Sequence, residues 1–195
     1  MRRRTRAVVG LGVVAIAAVG LVVALADGGQ SSHRQASGEF AWLRPGPPPA
    51  DWTVAHTSGG AALSYPPGWR PIKSDPRTAS VALLRGGDQI AAYLNATPKQ
   101  GSETLANWSQ FRPEHNGEEG DRSVRVIAAS DDLMFRSGTG SCVQDVYTTS
   151  TTTYREIACL VSGARSSAVV VAAAPSALWD RQAATLQRAV SSFVP

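Results

Sequence analysis

The sequence predicts an α+β domain, in which strands run together around two helices, placed beyond a membrane by an apolar N-terminal segment. Three observations predict it. Short apolar runs bounded by turn residues fill most of the chain from Ala61 to Ala174, while helical periodicity is confined to two stretches. The run Ala168-Val169-Val170-Val171-Ala172 is apolar at every position, the pattern of a central strand covered on both faces. Strands segregated from a few helices imply an antiparallel sheet with helices packed on it.

The elements follow in order. Ala7 to Ala26 holds twenty consecutive uncharged positions behind Arg2, Arg3, Arg4 and Arg6. As a helix it spans about 30 Å, the thickness of a hydrocarbon core, and the basic flank orients its N-terminus to the cytoplasm. The length favours a retained single-pass signal anchor over residues 1–26. Ala24-Leu25-Ala26 also suits signal-peptide cleavage, after which the protein would be secreted. Residues 27–50, rich in Gly, Ser and Pro, read as a tether with a reach of roughly 25–30 Å. Within it, Phe40-Ala41-Trp42-Leu43 is expected to dock on the domain rather than at the membrane interface. Residues 51–195 form the extracytoplasmic domain.

In that domain Ala61 to Tyr65 is a strand ended by Pro66-Pro67-Gly68. Ser80 to Arg85 and Gln89 to Asn95 flank Gly86-Gly87-Asp88 as a hairpin. A helix is expected from Ser102, its N-cap, to Arg112, with Pro113 as its stop and Leu105, Trp108 and Phe111 on its buried face. The acidic run Glu114 to Asp121 reads as a loop. Strands follow at Ser123 to Ala129, Leu133 to Arg136, Cys142 to Thr149, Thr153 to Val161 and Ser167 to Ala174, with Gly138-Thr139-Gly140-Ser141 as a turn. The last helix opens at Ser176 as N-cap. Trp179, Ala183, Leu186, Val190 and Phe193 form its apolar stripe.

Composition narrows the function classes. The net charge of +4 comes from the four N-terminal arginines, since all 15 acidic residues lie from Asp27 onward and balance the other basic ones. A neutral exported part lacks the basic surface that a nucleic-acid binder needs. Composition also excludes a coiled coil, a disulfide-dense miniprotein and a disordered chain. If Ser150-Thr151 turn a hairpin, residues whose numbers sum to 301 face each other. That register opposes Cys142 and Cys159 at disulfide distance and pairs Tyr147 with Tyr154. It also sets Asp145 against Glu156, an unfavourable pairing. A structural disulfide suits an exported chain, and no Cys-x-x-Cys is present.

Motifs for chemistry are sparse. The sequence has no Gly-x-Ser-x-Gly elbow, phosphate-binding loop, His-Glu-x-x-His or calcium loop. His33, His56 and His115 are far apart. Only the run from Glu114 to Asp121, with His115, Glu118 and Glu119, gathers ligand-type side chains, and it reads chiefly as a solvated surface. No catalytic residue, metal ligand or cofactor is assigned.

The segment Leu63-Ser64-Tyr65-Pro66-Pro67-Gly68-Trp69, a strand ending in aromatic-Pro-x-Gly-Trp, together with the element order to Ser191-Ser192-Phe193, resembles the PsbP-like fold. Actinobacterial envelope proteins of the LpqN type have a similar layout. The resemblance implies an α/β/α sandwich around an antiparallel sheet and an accessory or binding role, with Tyr65, Pro66, Gly68 and Trp69 structural. The lipid-acceptor Cys of such lipoproteins is missing here, no Cys preceding Cys142. The expectation is a membrane-tethered, non-enzymatic domain of a bacterial cell envelope that binds a protein, lipid or glycan. The alternatives are an envelope hydrolase using the 114–121 loop, or a structural part of a membrane secretion assembly.

Overall fold

The computed structural model describes residues 38–195, so the expected anchor, residues 27–37 of the tether and His33 lie outside the described residues. Among the described residues no helix is long and apolar enough to cross a membrane.

Phe40-Ala41-Trp42-Leu43 docks on the domain as expected, and with it residues 38–50, expected as the end of the tether, join the folded unit. A 3-10 turn at Gly38–Phe40 buries Phe40 to 1% exposure, and Leu43 follows it into the core. Hydrogen bonds from Gly46 N to Ser191 O, from Arg44 N to Ser191 Oγ and from the Arg188 side chain to Pro47 O fasten the stretch to the C-terminal helix. Two large apolar side chains thus overcome the disorder that the Pro and Gly content suggests.

Strands β1 (Thr53–His56) and β2 (Ala62–Tyr65) form a small antiparallel pair. The main sheet has seven antiparallel strands in the order β3-β4-β5-β9-β8-β7-β6. Its members are β3 (Arg70–Pro71), β4 (Ala79–Arg85), β5 (Gln89–Pro98), β6 (Arg122–Phe135), β7 (Gly138–Thr148), β8 (Thr153–Gly163) and β9 (Ser167–Pro175). The all-apolar strand β9 sits in the middle with Ala168 to Ala174 buried, as its sequence requires.

Helix α1 (Trp108–Glu118) packs over β6, β7 and β8, and α2 (Trp179–Ser192) packs over β9, β5 and β2. Side-chain alternation along the strands sends Ile157, Cys159, Val170 and Leu94 towards α2. It sends Val143, Ala158, Leu160, Val169 and Val171 towards α1. The fold is therefore sheet-rich α+β with a helix on either face.

Five local expectations need correction. The first helix runs from Trp108 to Glu118, so Ser102 is not its N-cap and Pro113 lies inside it. Glu103 is drawn into a loop by the amides of Gln100 and Gly101, both at 2.8 Å. Thr104 and Asn107 then bond reciprocally, side chain to backbone, and delay the helix start. The presumed acidic loop is consequently the last turns of α1, which closes at Gly120 with φ +95°.

The two strands expected at 123–136 are one strand, β6, whose interruption is absorbed by register shifts where Ser123 and Asp132 take positive φ. Gly138 to Ser141 is strand rather than turn, and the reversal is made by Arg136-Ser137. A Cβ at Gly140 would lie 2.7 Å from the Phe135 ring and 2.9 Å from Leu160 O, so glycine here permits close packing within the ladder. Finally, Ser176 begins a 3-10 turn, and α2 starts at Trp179 with no side-chain cap.

Candidate functional site

Helix α1 shields only half of its face of the sheet. On the other half, β4 and β5 are left open beside it, and the gap is a cleft of about 820 Å³. That volume falls within the roughly 300–1,000 Å³ usual for small-molecule sites. Its floor is the outward row of β4 and β5, where Ser80, Asn95 and Thr97 stand half-buried. Asn95 Nδ2 donates to Ser80 Oγ at 2.8 Å, and Thr97 shares a hydroxyl bond with Thr78. Its wall is α1, where Phe111 and His115 stand half-buried and Trp108, 2% exposed, lies at the base. These rings stack successively, Trp108 on Phe111 at 6.0 Å and Phe111 on His115 at 5.7 Å between centroids. Trp108 is anchored by its Nε1 donating to Ala158 O at 3.0 Å.

Behind that wall lies a buried polar row. The ladder registers Tyr93 beside Ala173, Ala173 beside Glu156, and Glu156 beside Asp145, so one line of side chains crosses four strands under α1. Arg112, one turn beyond Trp108, reaches down and binds Glu156 in a bidentate pair at 2.7 and 2.9 Å. Asn116, a further turn along, donates from Nδ2 to Asp145 Oδ2 at 3.3 Å. Tyr93 and Tyr147 share a hydroxyl bond of 2.9 Å.

The electrostatics follow from burial. Glu156 and Asp145 are both 0% exposed, yet one guanidinium is available to the two of them. Burial, then the neighbouring Glu156 charge, pushes Asp145 up to about 7, despite the pull of Arg112. Burial works against the Arg112 charge as well, but Glu156 more than offsets it and the group stays protonated. Burial and the Glu156 charge also raise both tyrosines, Tyr93 and Tyr147, which act here as neutral hydroxyls. Asp145 Oδ1 and Asn116 Oδ1 have no partner among the described residues. A proton held on Asp145 removes the second buried charge and supplies a donor where acceptors are in excess.

Of the residues singled out in the sequence, Trp108, Phe111, His115 and Glu119 line the cleft, while the cysteines and the Tyr65–Trp69 motif fall on the other face. Cys142 and Cys159 are joined as a disulfide on the α2 face, Cα to Cα 4.1 Å, in the register that sums to 301. Tyr65 and Trp69 are buried in the α2-side core, Gly68 takes φ +85°, and Trp69 N donates to Pro66 O in the turn between them. His115 sits on the cleft rim between Glu118 and Glu119, at 3.6 and 3.4 Å, and Glu118 is 79% exposed. Glu103, one of three carboxylates that line the cleft, is tied to loop amides. Burial opposes its charge, but those N–H bonds hold it below the usual carboxylate range. Among the described residues no group of three His, Cys, Asp or Glu is placed to hold a metal ion.

Sequence reasoning missed Arg112, Asn116, Tyr93 and the functional face of β4–β5. A signal was present: Asp145 shares strand parity with Val143 and Tyr147, so a carboxylate had been placed on a buried face. The spacing of four between Trp108 and Arg112 placed a guanidinium on the helix face that meets the sheet, where it pairs with Glu156.

Neither a protein-family model nor a curated protein sequence matches this chain. In fold it is similar to the cyanobacterial PsbP protein, CyanoP, of Synechocystis sp. PCC 6803. Sequence identity is 14% and the TM-score 0.53, over 75% of this chain and 93% of that one. The chain therefore has a PsbP-like fold. A Pseudomonas aeruginosa protein of unknown function, PA94, matches with a TM-score of 0.49 at 13% identity over 75% of this chain and 98% of its own. LpqN of Mycobacterium tuberculosis, described as involved in cell envelope biogenesis, matches with a TM-score of 0.43 at 14% identity over 74% of this chain and 91% of its own.

Proposed function

We propose that this protein is a membrane-tethered accessory domain of a bacterial cell envelope, non-enzymatic, which captures its ligand in the cleft beside α1. The observation that carries the reading is the cleft itself: a concave site on a rigid sheet, with polar groups on its floor and rings on its wall. The Cys142–Cys159 disulfide supports export, because such bonds persist outside the reducing cytoplasm. The apolar run at residues 7–26 supports the tether. The PsbP-like fold by itself favours no ligand.

The test is site-specific photocrosslinking in the native membrane. A photoreactive residue in place of Ser80 is expected to trap a ligand or partner, while one in place of Val126, exposed on β6, is not. The reading is abandoned if the two positions give the same products, or if the intact chain is found in cytosol with both thiols free.

A further inference from the structure

From the pairing of an uncharged hydroxyl-and-amide floor with a ladder of aromatic rings, we propose that the cleft between α1 and β4–β5 binds a neutral glycan chain. The inference rests on the binding-domain reading above and gives its ligand a chemical class.

The floor is the first argument. Beside the apolar Ile90, Val169 and Val171, the floor holds Ser80, Asn95, Thr78 and Thr97, which are short and uncharged where an open sheet face is ordinarily solvated by long charged side chains. They bond in pairs, Asn95 to Ser80 and Thr78 to Thr97, and each retains unused capacity. Such groups answer the hydroxyls of a sugar, which both donate and accept.

The wall is the second. Phe111 and His115 stack at an interplanar angle of 20°, in continuation of Trp108 on Phe111 at 21°. Trp108 is buried beneath the stack, and the half-buried Phe111 and His115 turn the ring surface that the stack leaves uncovered towards the C–H side of a sugar, with little side-chain entropy left to lose.

Charge decides among ligand classes. The deep cation of the cleft, Arg112, is occupied by both oxygens of Glu156. At the rim, one cation, Lys73, stands with two carboxylates, Asp75 and Glu119, and is ion-paired to neither. A phosphate or carboxylate ligand therefore meets no unengaged deep cation and a rim richer in acid than in base. An acyl chain would strand the bonding capacity of Ser80, Asn95 and Thr97, at about 1–3 kcal/mol for each polar group left unpaired. A neutral polyhydroxylated chain satisfies the floor and covers the rings.

The full-length chain, purified in a detergent without a sugar headgroup, is applied to an array of neutral and uronic-acid-bearing oligosaccharides. It is titrated in parallel with a fluorescent fatty acid. Retention on neutral oligosaccharides is expected. Asn95→Ala is expected to weaken it about tenfold, the worth of one well-placed hydrogen bond, and Phe111→Leu comparably. Val126→Ser leaves it unchanged. Unaltered melting temperatures establish that the variants fold. The proposal is overturned if no neutral glycan is retained, if Asn95→Ala and Phe111→Leu bind like the parent, or if only the acidic probes or the fatty acid bind. Crosslinking from position 80 without glycan retention would reject the glycan and leave the binding domain standing. Loss of both would reject both.

Discussion

The two faces of the sheet are built on opposite rules. The α2 face is closed and chiefly apolar, apart from the Gln144–Arg155 pair: Phe40, Leu63, Leu94, Ile157, Leu186 and Phe193 are all at or below 1% exposure, and the disulfide lies among them. The α1 face is divided between an apolar patch under Trp108, a buried ionic row and an open cleft. One face supplies stability through burial; the other holds a helix by polar anchors and leaves half the sheet free. Helix α1 contains both Pro113 and Gly117, so local propensity contributes little to it and docking to the sheet must hold it.

Breaking the ionic row is expected to have the largest effect. Arg112→Ala leaves Glu156 buried and unpaired beside Asp145, and the expected loss is about 3–5 kcal/mol in urea unfolding. A loss within the surface range of about 0.5 kcal/mol would mean that α1 is not anchored this way. On the other face, Cys142→Ala with Cys159→Ala is expected to cost about 3 kcal/mol, provided the parent is oxidised.

The ionic row also sets the pH dependence. The folded state raises Asp145 above its unfolded value, so folding takes up a proton. The associated stability is present below about pH 4 and lost as pH rises to about 7. Thermal melts between pH 5 and 8 are expected to fall for the parent, and Asp145→Asn is expected to flatten that slope. A parent curve no steeper than the variant's would remove the row's role. Least affected is Ser80→Trp: it fills the cleft, and its expected stability change stays within about 0.5 kcal/mol while ligand capture is lost.

The apolar α2 face was legible in the sequence because burial writes itself as periodicity. The run Ala168–Ala172 named the middle strand, and the stripe from Trp179 to Phe193 named the face of α2. Even the Asp145–Glu156 opposition was readable from the hairpin register. What that opposition did was not readable, since its meaning depends on Arg112, supplied by a helix placed six residues too early. Pro113 and Ser102 misled because the loop bonds of Glu103, Thr104 and Asn107 compete with helix initiation, and tertiary anchors outweigh the cost of an internal proline. The cleft was invisible for a plainer reason. Ser80, Asn95 and Thr97 look like any polar strand positions until the sheet order shows which strands α1 leaves uncovered.

The division of labour between the faces is tested most directly by mapping backbone amide shifts of the isotope-labelled chain during titration with a retained neutral oligosaccharide. The expected perturbations gather in residues 78–97 and 108–119 and spare 179–193. Perturbations centred on α2 or the β6 edge, with β4 and β5 silent, would contradict it.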